Sequence, residues 1–357
     1  MTLSAPVRYT PAIEELQPDE GETIGKLNKA FDEILNKTAE DSGHAVRSVH
    51  AKAHGIFEGT MTIDDGLPPE LAQGMFATPG RHKVYMRIST NAGDVLPDAI
   101  GLPRGLAIKV HDVAGERLPG AQGRAQDFVM VNGTKFAAKK SDQFLKNLQL
   151  LAKTTDRGTG AKVVFSKVLQ GVNTVLESVG IESTMVQQMG GAPNVDPLGA
   201  TYYSATPFRY GDYIAKFAVV PVSPALTALT DKTIEIDGRD DAIREELRRE
   251  SPGIEGVWEF RVQLCRDLQK QPVEDATVEW DEEEAPFVRV ATIRTEPQDS
   301  WDAGRVQLID EETRFSIWTG LAAHRPLGNI NRARNETYVH SAQFRETFNR
   351  CPIHEPA

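Results

Sequence analysis

Apolar and polar positions along the chain follow two periods. Ile24, Leu27, Phe31, Ile34 and Leu35 fall at helical spacing, so a Pro-rich entry is expected to lead into an amphipathic helix. From about residue 50 to 135 the period changes to two. In KVYMRIS, Val84, Met86 and Ile88 oppose Tyr85, Arg87 and Ser89; in GLAIKVHD, Leu106, Ile108 and Val110 oppose Ala107 and Lys109. Two helical stretches follow, 141–153 and 163–180. Alternation returns at 213–222, 258–267 and 287–295, where Trp258, Phe260, Val262 and Leu264 oppose Glu259, Arg261, Gln263 and Cys265.

Two strand blocks with period-two alternation, separated by helices, predict an α+β fold built on antiparallel sheet. Strands of this kind can close into a barrel with one filled face. A barrel enclosing a cavity, with the helices at 141–180 outside it, is the expected architecture. No glycine-rich phosphate loop follows a strand, which argues against a dinucleotide-binding fold. No linker interrupts 1–357, so one domain is expected: an arm and helix (1–45), the barrel with inserted helices (46–300), and a C-terminal segment (301–357).

A net charge of −11 disfavours a broad nucleic-acid or anionic-membrane surface. The acidic runs 240–250 and 281–285 read as solvated surface. Two cysteines, Cys265 and Cys351, without metal-ligand spacing, make a disulfide framework improbable and fit a reducing cytoplasm. No secretory signal and no run of about 18 apolar residues is present, so no membrane span is expected.

Among residues that can carry chemistry, His50 stands at the edge of the first strand pattern, four positions before His54. That spacing binds zinc on a helix, and the Gly55 segment reads as strand. Arg87 lies mid-strand on the side of Tyr85 and Ser89, opposite the apolar side. That second side is either solvent or a cavity lined for an anion.

Three segments resemble catalases in matching order. RSVHAKAHG (47–55) is similar to the family's R-x-V-H-A-K-G through Arg47, Val49, His50, Ala51 and Lys52. KVYMRISTNAGD (83–94) resembles V-R-F-S-T-x-A-G-E through Arg87, Ser89, Thr90, Ala92 and Gly93, and LPRGLAIKV (102–110) resembles D-P-R-G-F-A-V-K-F through Pro103, Arg104, Gly105, Ala107 and Lys109. The resemblance implies heme b held in an antiparallel barrel. It makes His50 the distal acid/base, Ser89 its orienter, Arg47 and Arg87 propionate partners, and Phe136 an aromatic over the heme plane. Asn91 replaces a family valine and stands in for a distal amide that has no clear counterpart near Gln122 or Gly123. Leu102 replaces a channel aspartate, which makes the access route less polar.

The family's proximal pattern is R-x-x-x-Y-x-D-x-x-x-x-R. Aligned on RFSIWTGLAAHR (314–325), it keeps Arg314 and Arg325 as heme partners and puts Trp318 where the iron-binding tyrosine belongs. An indole offers no lone pair suited to iron, so the axial ligand is left open, with His324 a conceivable substitute. The resemblance thus implies a heme-dependent oxidoreductase, a peroxidase or a converter of fatty-acid or other organic hydroperoxides, with weak hydrogen peroxide dismutation. The alternative is a heme-poor or heme-free protein of this fold that binds an apolar small molecule. A homodimer is the general expectation for assembly.

Overall fold

The computed structural model describes residues 3–154 and 191–355. Its strands are β1 (Ala53–Ile63), β2 (Arg81–Thr90), β3 (Arg104–Val110), β4 (Gln126–Val131), β5 (Tyr202–Tyr203), β6 (Phe208–Tyr210), β7 (Tyr213–Pro221), β8 (Gly256–Leu264) and β9 (Phe287–Thr295). All pair antiparallel, in the order β5-β4-β3-β2-β1-β9-β8-β7-β6. Tyr202 on β5 also pairs with Val219 on β7, which closes a barrel of all the strands but β6. Strand β6 hangs on β7 as a hairpin arm. The alternation read from the sequence at β2, β3, β7, β8 and β9 corresponds to strands at those positions.

The inner face is packed solid. Val84, Met86 and Ile88 of β2 join Phe128, Phe217 and Phe260, from β4, β7 and β8, in one buried cluster. Phe128 and Phe260 lie 4.7 Å apart between ring centroids, and Phe76, Phe260 and His324 extend the ring stack toward one end. Each such aromatic contributes about 1.5–3 kcal/mol by burial, and a barrel of about eight strands is just wide enough for side chains to fill. The expectation that the barrel encloses a cavity is therefore corrected: the cavity described below lies against the outer face of the wall.

Helices α1 (Glu20–Ser42), α2 (Ser141–Thr154) and α4 (Asn329–Asn349) pack together outside the barrel, whereas α3 (Ala242–Glu250) joins the barrel's buried cluster through Ala242, Ile243 and Leu247. Helix α1 buries the stripe anticipated from its spacing, Ile24, Leu27, Phe31 and Leu35, and ends at Gly43 with φ 69°, a left-handed cap that glycine adopts without penalty. Ile24, Leu27 and Phe31 pack with Leu145 and Leu148 of α2 and Ala333 of α4. The helix expected at 141–153 is α2; the one at 163–180 lies outside the described residues. Helix α4 was hidden in the sequence because its buried side is largely polar, with Asn329, Asn331, Thr337, Ser341 and Arg345 inward. Among the described residues, no helix is long and apolar enough to cross a membrane.

Candidate active site

Arg87 and Ser89 sit on the outer face of β2. Their cross-strand partners on β3 are Ala107 and Gly105, and these in turn face Val129 and Val131 on β4. Small residues make this part of the wall shallow. A cavity lies against it, bounded by Arg47–His50 before β1, by Arg314 and Phe315, and by Tyr338, Ser341, Ala342 and Arg345 of α4. It holds about 570 Å³ of space between atoms, part of it open to solvent. Four of its lining residues are arginines (Arg47, Arg87, Arg314 and Arg345), and among the described residues no carboxylate lines it.

His50 is held from several sides. Its backbone adopts φ 55°, the left-handed region that costs a non-glycine residue energy unless its surroundings enforce it. Neighbouring backbone supplies that enforcement: His50 N–H donates to the Asn91 carbonyl at 3.3 Å, and Ala51 N–H to the Ala92 carbonyl at 2.9 Å. Ser48 N–H donates to Ser341 Oγ at 3.1 Å, which ties the segment to α4. The ring engages Ser89 Oγ through Nδ1 at 3.1 Å. It lies so close to Gly105 that a β-carbon there would stand 2.3 Å from Cε1. Desolvation, and then the charges of Arg87, Arg334 and Arg47, lower the His50 pKa to about 3, so the imidazole is neutral at physiological pH.

The opposite boundary is α4. Residues 334, 338, 341, 342 and 345 recur at helical spacing, and all but Arg334 line the cavity. Arg334 donates to the Tyr338 hydroxyl through Nε at 3.0 Å and Nη2 at 2.9 Å, and to Asn331 Oδ1 at 3.2 Å. The stretch RNETYVHSAQFR (334–345) carries the spacing R-x-x-x-Y-x-D-x-x-x-x-R through Arg334, Tyr338 and Arg345, with His340 at the aspartate position. The same spacing thus occurs again twenty residues after 314–325 in the chain.

The expected site residues divide accordingly. His50, Ser89, Arg47, Arg87 and Arg314 converge on the cavity. Trp318 does not line it; its Nε1 donates to the Asn331 carbonyl at 2.8 Å, and Arg325 lies over its ring at 5.6 Å. Arg325 pairs instead with Glu14 at 3.5 Å. His324 is buried among the barrel aromatics and accepts the Met75 N–H at 3.0 Å. Phe136 packs on Phe144 of α2, with centroids 5.5 Å apart. Asn91 contributes its backbone carbonyl to His50 but does not line the cavity. Tyr338, Arg334, Arg345 and Phe315 were not among the site residues expected from the sequence. The signal that could have found the first three was the spacing of 334, 338 and 345 on one helix face.

No family profile and no curated protein matches the chain. Solved structures do. It is similar to a fungal catalase (TM-score 0.60, 17% identity, covering 89% of this chain and 63% of that one). Catalase A from Saccharomyces cerevisiae gives TM-score 0.61 at 16% identity, over 99% and 70% of the two chains. A bacterial catalase gives 0.58 at 15%, over 99% and 66%. The chain thus has a catalase-like fold and spans 63–70% of the length of those proteins.

Proposed function

We propose that this chain is a catalase-like heme oxidoreductase acting on peroxides, in which Tyr338 would hold the iron through its hydroxyl oxygen. The observation that carries the reading is one cavity with His50 and Ser89 on the barrel side, the Arg334-supported Tyr338 on the helix side, and arginines between. These residues fit heme b. A flat porphyrin suits the wall of Gly105, Ala107 and Val129, and its two carboxylates suit a lining of four arginines without an acid. A phenolate oxygen is a known heme ligand type, and the two Arg334 N–H donors give that oxygen charge-assisted support. A heme-free binder of an apolar molecule has no use for those buried guanidinium groups, whose desolvation is costly.

A bound heme supplies the redox-active iron; the protein supplies its ligand, its polarity and its access. His50, neutral at physiological pH, takes a proton from one oxygen of a peroxide and returns it to the other. Its low basicity favours the return step, and Ser89 fixes the ring for both. The chemistry supports peroxides as a class; the narrower reading of fatty-acid or other organic hydroperoxides rests on the resemblance alone, in which Leu102 stands where the family has an aspartate. The expectation of weak dismutation rested on Trp318 as the proximal residue, and Tyr338 removes that ground. The test is to reconstitute the protein with hemin, record its absorption spectrum, and compare oxygen evolution from hydrogen peroxide with turnover of organic hydroperoxides. A protein that takes up no hemin would sink the reading.

A further inference from the structure

Three guanidinium groups at one edge of the cavity crowd a single carboxylate. Asp310, in a π-helical turn (Gln307–Glu311), accepts from Arg87 Nε at 2.8 Å and from Arg47 Nη1. The turn's backbone does the rest. Arg47 Nη2 donates to the carbonyls of Ile309 (3.2 Å) and Thr313 (2.9 Å), and Arg345 Nη2 to those of Asp310 (2.7 Å) and Glu311 (2.9 Å). The neighbouring acids are engaged elsewhere, Glu311 with His44 and Glu312 with Gln307. The Arg87 side chain is 2% exposed, and those of Arg47 and Asp310 are 14% exposed. Three buried positive charges therefore meet one carboxylate at hydrogen-bond distance, Asp310, while the Glu311 charge acts on Arg47 and Arg345 from farther off. The arginines hold the Asp310 carboxyl at about 2 against the opposing effect of burial, so its charge is permanent at physiological pH.

We propose that Asp310 is the internal counter-charge of this cluster, a positioning residue that sets Arg47 and Arg87 and leaves the cluster with a net positive charge, matched to a ligand that carries carboxylates. The inference rests on the porphyrin reading of the same cavity and adds to it a residue that no segment of the catalase pattern contains. Asp310 and a ligand carboxylate draw on the same two guanidinium groups, so they oppose one another. Removing the aspartate charge weakens the protein in the absence of porphyrin and raises its preference for free carboxylates.

The experiment uses the full chain, wild type, Asp310→Asn and the double variant Arg47→Gln/Asp310→Asn. Hemin and hemin dimethyl ester are titrated by Soret absorbance, and urea midpoints are measured without porphyrin. Asp310→Asn is expected to lower the midpoint and to widen the hemin-to-diester affinity ratio about tenfold, since close charge pairs couple by more than a kilocalorie. The double variant restores the wild-type net charge of the cluster and brings both readouts back to wild type or below it. An unchanged or narrower ratio in Asp310→Asn, with hemin still bound by wild type, overturns the proposal alone. If Asp310→Asn does not fold, the double variant decides: recovery of the fold supports the proposal, and failure to recover overturns it. A wild type that binds neither porphyrin overturns the cavity reading and this inference with it.

Discussion

Arg334 grips the Tyr338 hydroxyl with two of its nitrogens, at 2.9 and 3.0 Å, from one turn earlier on the same helix. A guanidinium spanning one helical turn to a phenol puts a fixed positive charge beside an oxygen at the cavity edge. Substitution Tyr338→Phe removes that oxygen while keeping the ring. It is expected to abolish the axial contact and shift the Soret band of the reconstituted protein. Arg334→Gln leaves the oxygen but removes its charged support, and should lower heme affinity or activity about 10–100-fold, as loss of a ligand's hydrogen-bonded partner does. A spectrum identical to wild type in Tyr338→Phe would place the ligand elsewhere.

Trp318→Tyr provides the contrasting measurement. Its indole N–H serves the Asn331 carbonyl, and the ring is not part of the cavity lining. The substitution should leave the heme spectrum unchanged and cost about 1 kcal/mol from the lost hydrogen bond, read as a lowered urea midpoint.

A β-carbon at Gly105 would stand 2.3 Å from Cε1 and 2.4 Å from Nδ1 of His50. The backbone of β3 on either side is fixed by its pairing with β2 and β4, so the imidazole must move and lose Ser89. Gly105→Ala is expected to reduce turnover toward the level of His50→Ala, a loss of about 10²–10⁴-fold if His50 is the proton carrier. Heme content, measured by iron analysis in the same samples, should fall much less than turnover.

How much of this was legible in the sequence depended on which side of each element faces the core. Strands β2 and β8 announce themselves because one side packs in the barrel and the other does not, so the alternation of Val84, Met86 and Ile88 survives in the sequence. Arg87 and Ser89 belong to that same alternating block, and His50, before β1, was found with them through the catalase-like segments 47–55 and 83–94. Helix α4 carries the other half of the site, and its inward positions include Asn331, Thr337 and Arg345. A hydrophobic period cannot report a polar inner face. Tyr338 was therefore passed over in favour of Trp318, whose neighbours Arg314 and Arg325 imitate the expected arginine spacing but only one of which reaches the cavity. Asp310 left no trace, because one acid in DEE reads as solvated surface until the turn folds it against Arg47 and Arg87.

The pH profile gives another check. His50 has its pKa lowered to about 3, and a proton carrier must begin neutral. Turnover through His50 should be level from pH 5 to 8 and fall only in strong acid, with no limb near the ordinary histidine value of about 6.5. For stability the sign runs the same way. The unfolded chain binds protons at His50, His54 and His324 near the ordinary value, whereas the folded protein resists them, His324 to about 3. These rings therefore contribute stability above pH 6.5 that is lost progressively as pH falls toward 3, while the buried Asp127 and Asp196, pushed up to about 7 chiefly by desolvation, contribute with the opposite sign below that value. His324→Gln removes one of the three ring contributions, so the change in its urea midpoint from pH 7.5 to 4.5 should be less unfavourable than in wild type. An equal change would contradict the burial of that ring.

Lys109 connects the barrel wall to the cavity through charge alone. Its ammonium is fully buried and donates to both oxygens of Asp127, at 2.7 and 2.9 Å, and to Glu355 at 2.9 Å. Asp127 in turn accepts the Ser316 N–H at 2.9 Å, and Glu355 accepts from Arg314 Nε at 2.7 Å. Both bonds anchor the segment that carries Arg314 and Phe315 to the cavity, and the lysine also lies 5.3 Å from the centre of the Phe315 ring. Lys109→Met keeps the length and apolar volume of the side chain but leaves the buried Asp127 without its cation, while Glu355 keeps Arg314. Breaking a buried pair from one side costs about 3–5 kcal/mol, enough to be unmistakable in a urea titration. Part of that loss should disappear in Lys109→Met/Asp127→Asn, where no buried Asp127 charge remains. If the double variant is as unstable as the sum of the two single ones, the three groups do not act as a unit. In that case Arg314 owes its position to the backbone of 313–316 and not to the buried charges behind it.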